Sequence, residues 1–243
     1  MVVIGLTAYF LNYPTKLIAF LIFVFLNMSE IAVLILESPW EYPQGGTRRL
    51  TVQPFFEGLE KIHPNMSMYY STFHDLHGVR TALDYDLLHA KEPRQVLYIG
   101  SHGQGRQLSN IRLSDLKRTI RERSGKLEGI IISACEVCND VDDLITLVQG
   151  TGVKWAIGYK CAVGWFDSMM LELALLNQLA IEPVAYRTSR AGLTGFFQRA
   201  LALVNPCHIL DEEGKGVVAD NVTIVMNSRR GSRPVGLRVG EGV

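Results

Sequence analysis

The strongest constraint on how this chain can fold is a set of short apolar runs, each closed by turn or polar residues and separated from the next by a helical pattern. The runs are Ile31–Leu36, Gln95–Gly100, Gly129–Ser133, Val153–Gly158 and Val222–Met226. They are rich in β-branched residues and do not alternate with polar ones, which is how strands covered on both faces of a parallel sheet read. Met66–Phe73 does alternate and is expected at a sheet edge. Between the runs, Leu116 and Ile120 follow the capping pair Ser114-Asp115, and Val141, Leu144, Ile145 and Val148 recur at helical spacing. Asp167–Ala180 and Ala191–Val204 read as two further helices. Strands alternating with helices predict an α/β domain: a three-layer sandwich with a mostly parallel central sheet.

Composition agrees and excludes several classes. Of 243 residues, 48% are hydrophobic, enough to bury a core and too many for a disordered chain. The 24 basic and 24 acidic side chains balance, so no net positive field is present to hold nucleic acid. The 4 Cys, all in the second half, are too few for a disulfide scaffold and suit a reducing, cytoplasmic compartment.

Residues 1–27 form a hydrophobic extension that carries a single charge up to Leu26, Lys16. Its densest run, Leu17–Leu26, falls short of the roughly 20 residues that a spanning helix needs. Two readings stay open. Either the segment is a membrane anchor, or Met28 is the true start, just ahead of the first strand. Residues 28–228 are then the domain proper, and 229–243 a flexible Gly/Arg-rich tail.

In open parallel sheets, ligands collect beyond the carboxyl ends of the strands. Two strand ends here carry chemistry. One run ends in Gly100-Ser-His-Gly-Gln-Gly105 and the next in Ser133-Ala-Cys-Glu136, with one helical connection between them. A right-handed crossover can bring such strands side by side, so that His102 and Cys135 face one cleft. A thiol beside an imidazole is the minimum for nucleophilic catalysis: the thiolate attacks, and the imidazole takes and returns the proton. The amides of Gly103 and Cys135 are candidate donors to a developing oxyanion, a contribution on the order of 3 kcal/mol.

Competing constellations exist. Cys135-x-x-Cys138 with His74-x-x-His77 has metal-compatible spacing and makes a zinc site the alternative. Gly100-x-x-Gly103-x-Gly105 follows a strand but is not a dinucleotide fingerprint and lacks the P-loop lysine. Trp40 and the pair Tyr69-Tyr70 read as packing.

Tyr98-Ile-Gly-Ser-His-Gly103 followed by Ile131-Ile-Ser-Ala-Cys-Glu136 resembles the His-Gly and Ser-Ala-Cys-Glu pair of caspase-like (clan CD) cysteine peptidases, and within them the CHAT branch. Gly150–Gly158, Asp167 and the apolar helix after it are similar to the segment that follows the cysteine there. Val137-Cys138 departs from the Thr-Gly usual at that place. The resemblance implies a caspase-like fold and a cysteine endopeptidase with His102 as base and Cys135 as nucleophile. It implies no cofactor and no metal, a protein or peptide substrate, and an effector role in signalling or defence. Control would fall to a regulatory partner protein, to oligomerisation, or to a membrane if residues 1–27 anchor the chain. It also places Asp167 where the family carries an acidic residue, either lining a pocket for a basic substrate side chain or capping its own helix. Glu136 would hold a loop amide or orient the site. The non-enzyme alternative is a catalytically silent scaffold for protein interaction.

Overall fold

A computed structural model of the chain describes residues 30–40, 50–123, 125–211, 214, 216–227 and 234–237. The extension 1–27 and most of the tail 229–243 lie outside these residues.

In chain order the apolar runs become β1 (Ile31–Glu37), β2 (Met66–Thr72) and β3 (Arg94–Gly100). A small antiparallel hairpin sheet follows, β4 (Gly103–Gln104), β5 (Gln107–Leu108) and β6 (Ile111–Arg112). Then come β7 (Leu127–Ser133), β8 (Trp155–Tyr159), β9 (Val222–Met226) and β10 (Val235–Leu237). The main sheet has the order β10-β9-β8-β7-β3-β1-β2. Its strands from β2 to β8 are parallel, while β9 pairs antiparallel with β8 and β10 antiparallel with β9. The alternating run Met66–Thr72 is an edge strand, as its pattern requires. In the described part of the tail, Val235–Leu237 pairs with β9 and forms the other edge.

Helices cover both faces. The first, α1 (Gln53–Ile62), and the long α5 (Trp165–Ile181) and α6 (Arg190–Leu201) bury Phe56, Met169, Leu176 and Phe196 against Val33, Val96, Ile131 and Ile157. On the opposite face, α2 (Leu76–Ala82), α3 (Leu113–Arg123) and α4 (Val141–Val148) bury Val79, Ile120 and Leu147 against Leu34, Leu97 and Ile130. Neighbouring residues of one strand therefore face different cores, and this explains the continuous apolar runs. The result is the expected three-layer α/β sandwich with a mostly parallel sheet. Among the described residues, no helix is long and apolar enough to cross a membrane.

Two interior features were not legible beforehand. At the amino-terminal end of the strands, buried Glu128 takes Arg94 Nε at 2.5 Å and Arg187 Nε at 3.4 Å. Burial alone would raise the Glu128 carboxyl, but the two guanidinium groups hold it below its usual range. In the central strands, Gly129 pairs with Trp155, and a methyl group at 129 would fall 2.0 Å from the indole ring. Trp155 is fully buried, so the ring cannot retreat. Gly129→Ala is therefore expected to lose about 1–3 kcal/mol through overpacking. Guanidinium unfolding measures it, and Trp155→Leu in the same chain should recover part of the loss. Unchanged stability of Gly129→Ala would contradict this packing.

Candidate active site

Three parallel strands end in register. Glu37 of β1 stands beside Gly100 of β3, and Gly100 beside Ser133 of β7. The ladder runs one residue further on each side, through Ser38 N–H to Gly100 O at 2.8 Å and Ser101 N–H to Ser133 O at 3.1 Å. The sheet order reverses direction between β1 and β3, the switch point where α/β folds open a crevice. His102 and Cys135 each lie two residues beyond the registered pair Gly100–Ser133.

The loops that carry them touch. A Cβ on Gly103 would lie 2.1 Å from the Cys135 carbonyl oxygen and 2.8 Å from its amide nitrogen. Only a residue without a side chain allows the His-Gly backbone to close on the Cys backbone. The His102 carbonyl accepts from Ser109 N–H at 2.7 Å and from the Ser101 hydroxyl at 3.1 Å, which fixes the turn. The bond from Ser109 makes Gly103–Leu108 a non-hydrogen-bonded pair of the hairpin, so the Gly103 N–H points away from β5.

The imidazole is exposed and held from the other side. Its Nε2 meets the backbone carbonyl of Trp40, 62 residues earlier, and the Trp40 ring stands edge-on to it with centroids 5.4 Å apart. A carbonyl only accepts, so in the neutral ring Nε2 carries the proton and Nδ1 the lone pair. Trp40, read from sequence as packing, is thus in contact with the site.

Cys135 is half-buried, with Sγ 3.9 Å from the Val163 carbonyl just ahead of α5. The next residue, Glu136, sits at φ 58°, a left-handed conformation that is strained for a side chain other than Gly. Its N–H donates to Cys161 O at 3.0 Å and its carbonyl accepts from Asn139 N–H at 3.2 Å. Glu136 is therefore the turn that lifts the chain off β7, and its side chain is exposed.

The zinc constellation does not assemble. Cys138 is buried in the core beneath α4, whereas Cys135 packs toward the opposite core, and His74 and His77 are exposed. Among the described residues no group of three His, Cys, Asp or Glu could hold a metal. Burial pushes the Cys138 thiol up to about 12, and burial followed by the Asp211 carboxylate pushes Cys161 up to about 11. Neither is a thiolate at neutral pH.

Asp167 does not cap its helix. α5 begins two residues earlier at Trp165, with Gly164 at the N-cap and no side-chain capping bond. Asp167 lies in the first turn and accepts from His208 Nε2 at 2.8 Å. The chain entering α5 is anchored from outside the helix, with Gly164 N–H donating to Leu210 O at 2.6 Å.

Beneath the strand ends lies a fully buried acid, Glu172 of α5. The Tyr159 hydroxyl donates to its Oε1 at 2.9 Å, while its Oε2 and the nearby Tyr98 hydroxyl close no hydrogen bond of normal geometry. Burial pushes this carboxyl up to about 7, against the pull of Ser133, Tyr159 and Tyr98 and with the help of the Glu37 charge. A carboxyl raised from 4.5 to about 7 binds its proton more tightly when folded. Its stabilisation is complete below pH 4.5 and is lost as pH rises through 7. That loss is expected to be about 3 kcal/mol. Glu172→Gln should narrow the difference in unfolding free energy between pH 5 and pH 8. Parallel stability-versus-pH curves for the two proteins would refute this.

No protein-family model matches the sequence, and no curated protein matches it. Among solved structures, the chain is similar to a secreted C11 cysteine protease from Bacteroides thetaiotaomicron, determined in complex with an irreversible peptide inhibitor. The TM-score is 0.47 at 10% identity, over 82% of this chain and 66% of that one, so this chain spans just under two thirds of its length.

Proposed function

We propose that the chain is a caspase-like cysteine endopeptidase in which His102 is the general base and Cys135 the nucleophile. The observation that carries this reading is the closure of Gly103 on the Cys135 backbone, which joins the His-Gly and Ala-Cys-Glu segments at the ends of adjacent parallel strands. The tautomer set by the Trp40 carbonyl supports it, since Nδ1 is left to accept a proton.

In this mechanism His102 Nδ1 takes the Cys135 thiol proton and the thiolate attacks the scissile carbonyl carbon. The carbonyl π pair moves onto oxygen, and the amides of Gly103 and Cys135 stabilise the resulting oxyanion. As the intermediate collapses, the C–N bond breaks and the imidazolium returns its proton to the leaving amine. Water, deprotonated by the same imidazole, then hydrolyses the thioester. The substrate is a protein or peptide, and no cofactor enters any step.

An electrophilic peptide probe tests the assignment. Cys135→Ala should abolish labelling, and His102→Ala should slow it by about 100-fold or more, as expected for loss of a general base. Both variants should stay folded, because neither side chain is fully buried. Labelling that persists in Cys135→Ala and vanishes in Cys161→Ala would sink the reading.

Selectivity follows as a finer part of the proposal. The Val163 carbonyl beside Cys135 Sγ brings the start of α5 toward the cleft, and Asp167 lies in its first turn. A carboxylate there favours a basic substrate side chain, with Glu136 at the rim. A charge-assisted hydrogen bond of about 1.5–3 kcal/mol gives about 10- to 150-fold preference over a neutral side chain. Profiling the wild type and Asp167→Asn on a peptide library measures it. A basic preference that survives the substitution would return Asp167 to a structural role in holding His208.

A further inference from the structure

The end of β1 holds an arrangement that the peptidase mechanism does not itself use. Glu37 is buried, with 2% of its surface exposed, and none of its named partners is a cation. Its Oε1 accepts from the Trp40 indole N–H at 2.7 Å and from Val52 N–H at 3.1 Å. Its Oε2 accepts from the Thr51 hydroxyl at 2.6 Å and the Tyr70 hydroxyl at 2.8 Å. A carboxylate taken out of water needs this many donors, because each unfilled lone pair would go undersolvated.

Of those donors, Trp40 also touches His102. Its indole is tied to Glu37, and its ring packs over bare Gly100, where even a Cβ would stand 3.3 Å from Cζ2. The ring edge meets the imidazole and the carbonyl takes the His102 Nε2–H. With its indole end fixed to a buried anion and its flank seated on the sheet, Trp40 has little freedom to move its carbonyl.

We infer that Glu37 is a positioning residue: through Trp40 it fixes the orientation and tautomer of the His102 imidazole, so that Nδ1 is the nitrogen left to face the cleft. The inference rests on the peptidase reading for its consequence in rate, but not for its consequence in structure. Glu37 touches no substrate and transfers no proton. It sets the tautomer by holding the one acceptor that selects Nε2–H, as an outer-shell partner selects the tautomer of a histidine elsewhere.

The chemistry of the hub separates its variants. Gln can replace Glu37 without breaking it, because its carbonyl oxygen can serve Trp40 and Val52. Its amide then faces two hydroxyls, Thr51 and Tyr70, which can turn to accept. Trp40→Phe keeps an aromatic ring over Gly100 but removes the indole N–H and with it the tie to Glu37.

The full chain is compared with Glu37→Gln and Trp40→Phe by two measurements. In nitrogen-15 spectra the ring couplings report the tautomer directly, with His102→Gln used to assign the His102 signals. The unmodified chain and Glu37→Gln should show the Nε2–H form, and Trp40→Phe a mixture of tautomers. In parallel, the rate of labelling by the electrophilic peptide probe should fall about 10- to 100-fold in Trp40→Phe, the loss typical of a misplaced catalytic group. KM for a peptide substrate should stay unchanged, and Glu37→Gln should keep its rate within a few-fold. An unchanged His102 tautomer in Trp40→Phe overturns the inference, as does a Glu37→Gln chain that loses the Nε2–H form while Trp40→Phe keeps it. A chain in which no probe labels Cys135 overturns the peptidase reading instead, and the tautomer measurement still decides the role of Glu37.

Discussion

The parallel register of β1, β3 and β7 is the constraint on which the site depends. It sets Glu37, Gly100 and Ser133 in one row, and each functional group lies a fixed two or three residues beyond that row: Trp40 after β1, His102 after β3, Cys135 after β7. The row is held by main-chain hydrogen bonds and by side chains that must enter one of two cores. A slip of one residue in any of these strands would turn every inward side chain to the wrong face. Precision at the site is therefore inherited from burial far beneath it. The loops add only short, fixed turns, one closed on bare Gly103 and one bent through the left-handed Glu136.

Three buried carboxylates show three ways of holding an acid in a dry interior. Glu128 is neutralised by two guanidinium groups at the amino-terminal end of the sheet, where nothing needs to react. Glu37 is solvated by neutral donors from four residues at the carboxyl end. Glu172, with one clear donor and the Glu37 charge nearby, responds by keeping its proton to about pH 7. An arginine near Glu37 or Glu172 would solve their desolvation at the expense of a strong positive charge under the imidazole and thiol. Neutral donors and a retained proton avoid that field.

The cysteines divide along the same lines. Cys138 lies in the deeper core with its thiol proton held up to about 12, against Gly158, where a Cβ would fall 2.3 Å from its sulfur. Cys135, three residues earlier, is half-buried on the opposite side of the sheet plane. The CxxC spacing that suggested a metal site is in this fold a strand exit followed by a return into the core. Two sulfurs so separated cannot share an ion.

What the sequence determined by itself was periodic or local. Apolar runs of strand length gave the α/β class, because a strand buried on both faces has no polar alternation, and Met66–Thr72 alternates because it is an edge. The His-Gly and Ala-Cys-Glu segments were visible because ligand-facing groups in parallel sheets collect just past the strand ends. Other features were decided only in three dimensions. α2 spans only Leu76–Ala82 and forms against the sheet. α5 starts after Gly164, whose N–H donates to the distant Leu210 carbonyl, and not at Asp167. The contact from Trp40 to His102 spans 62 residues, and the link from Arg187 to Glu128 spans 59. No spacing rule reaches across such gaps. These pairs meet because strands distant in the chain become neighbours in the sheet, and a buried charge then has to take whichever donors that neighbourhood supplies.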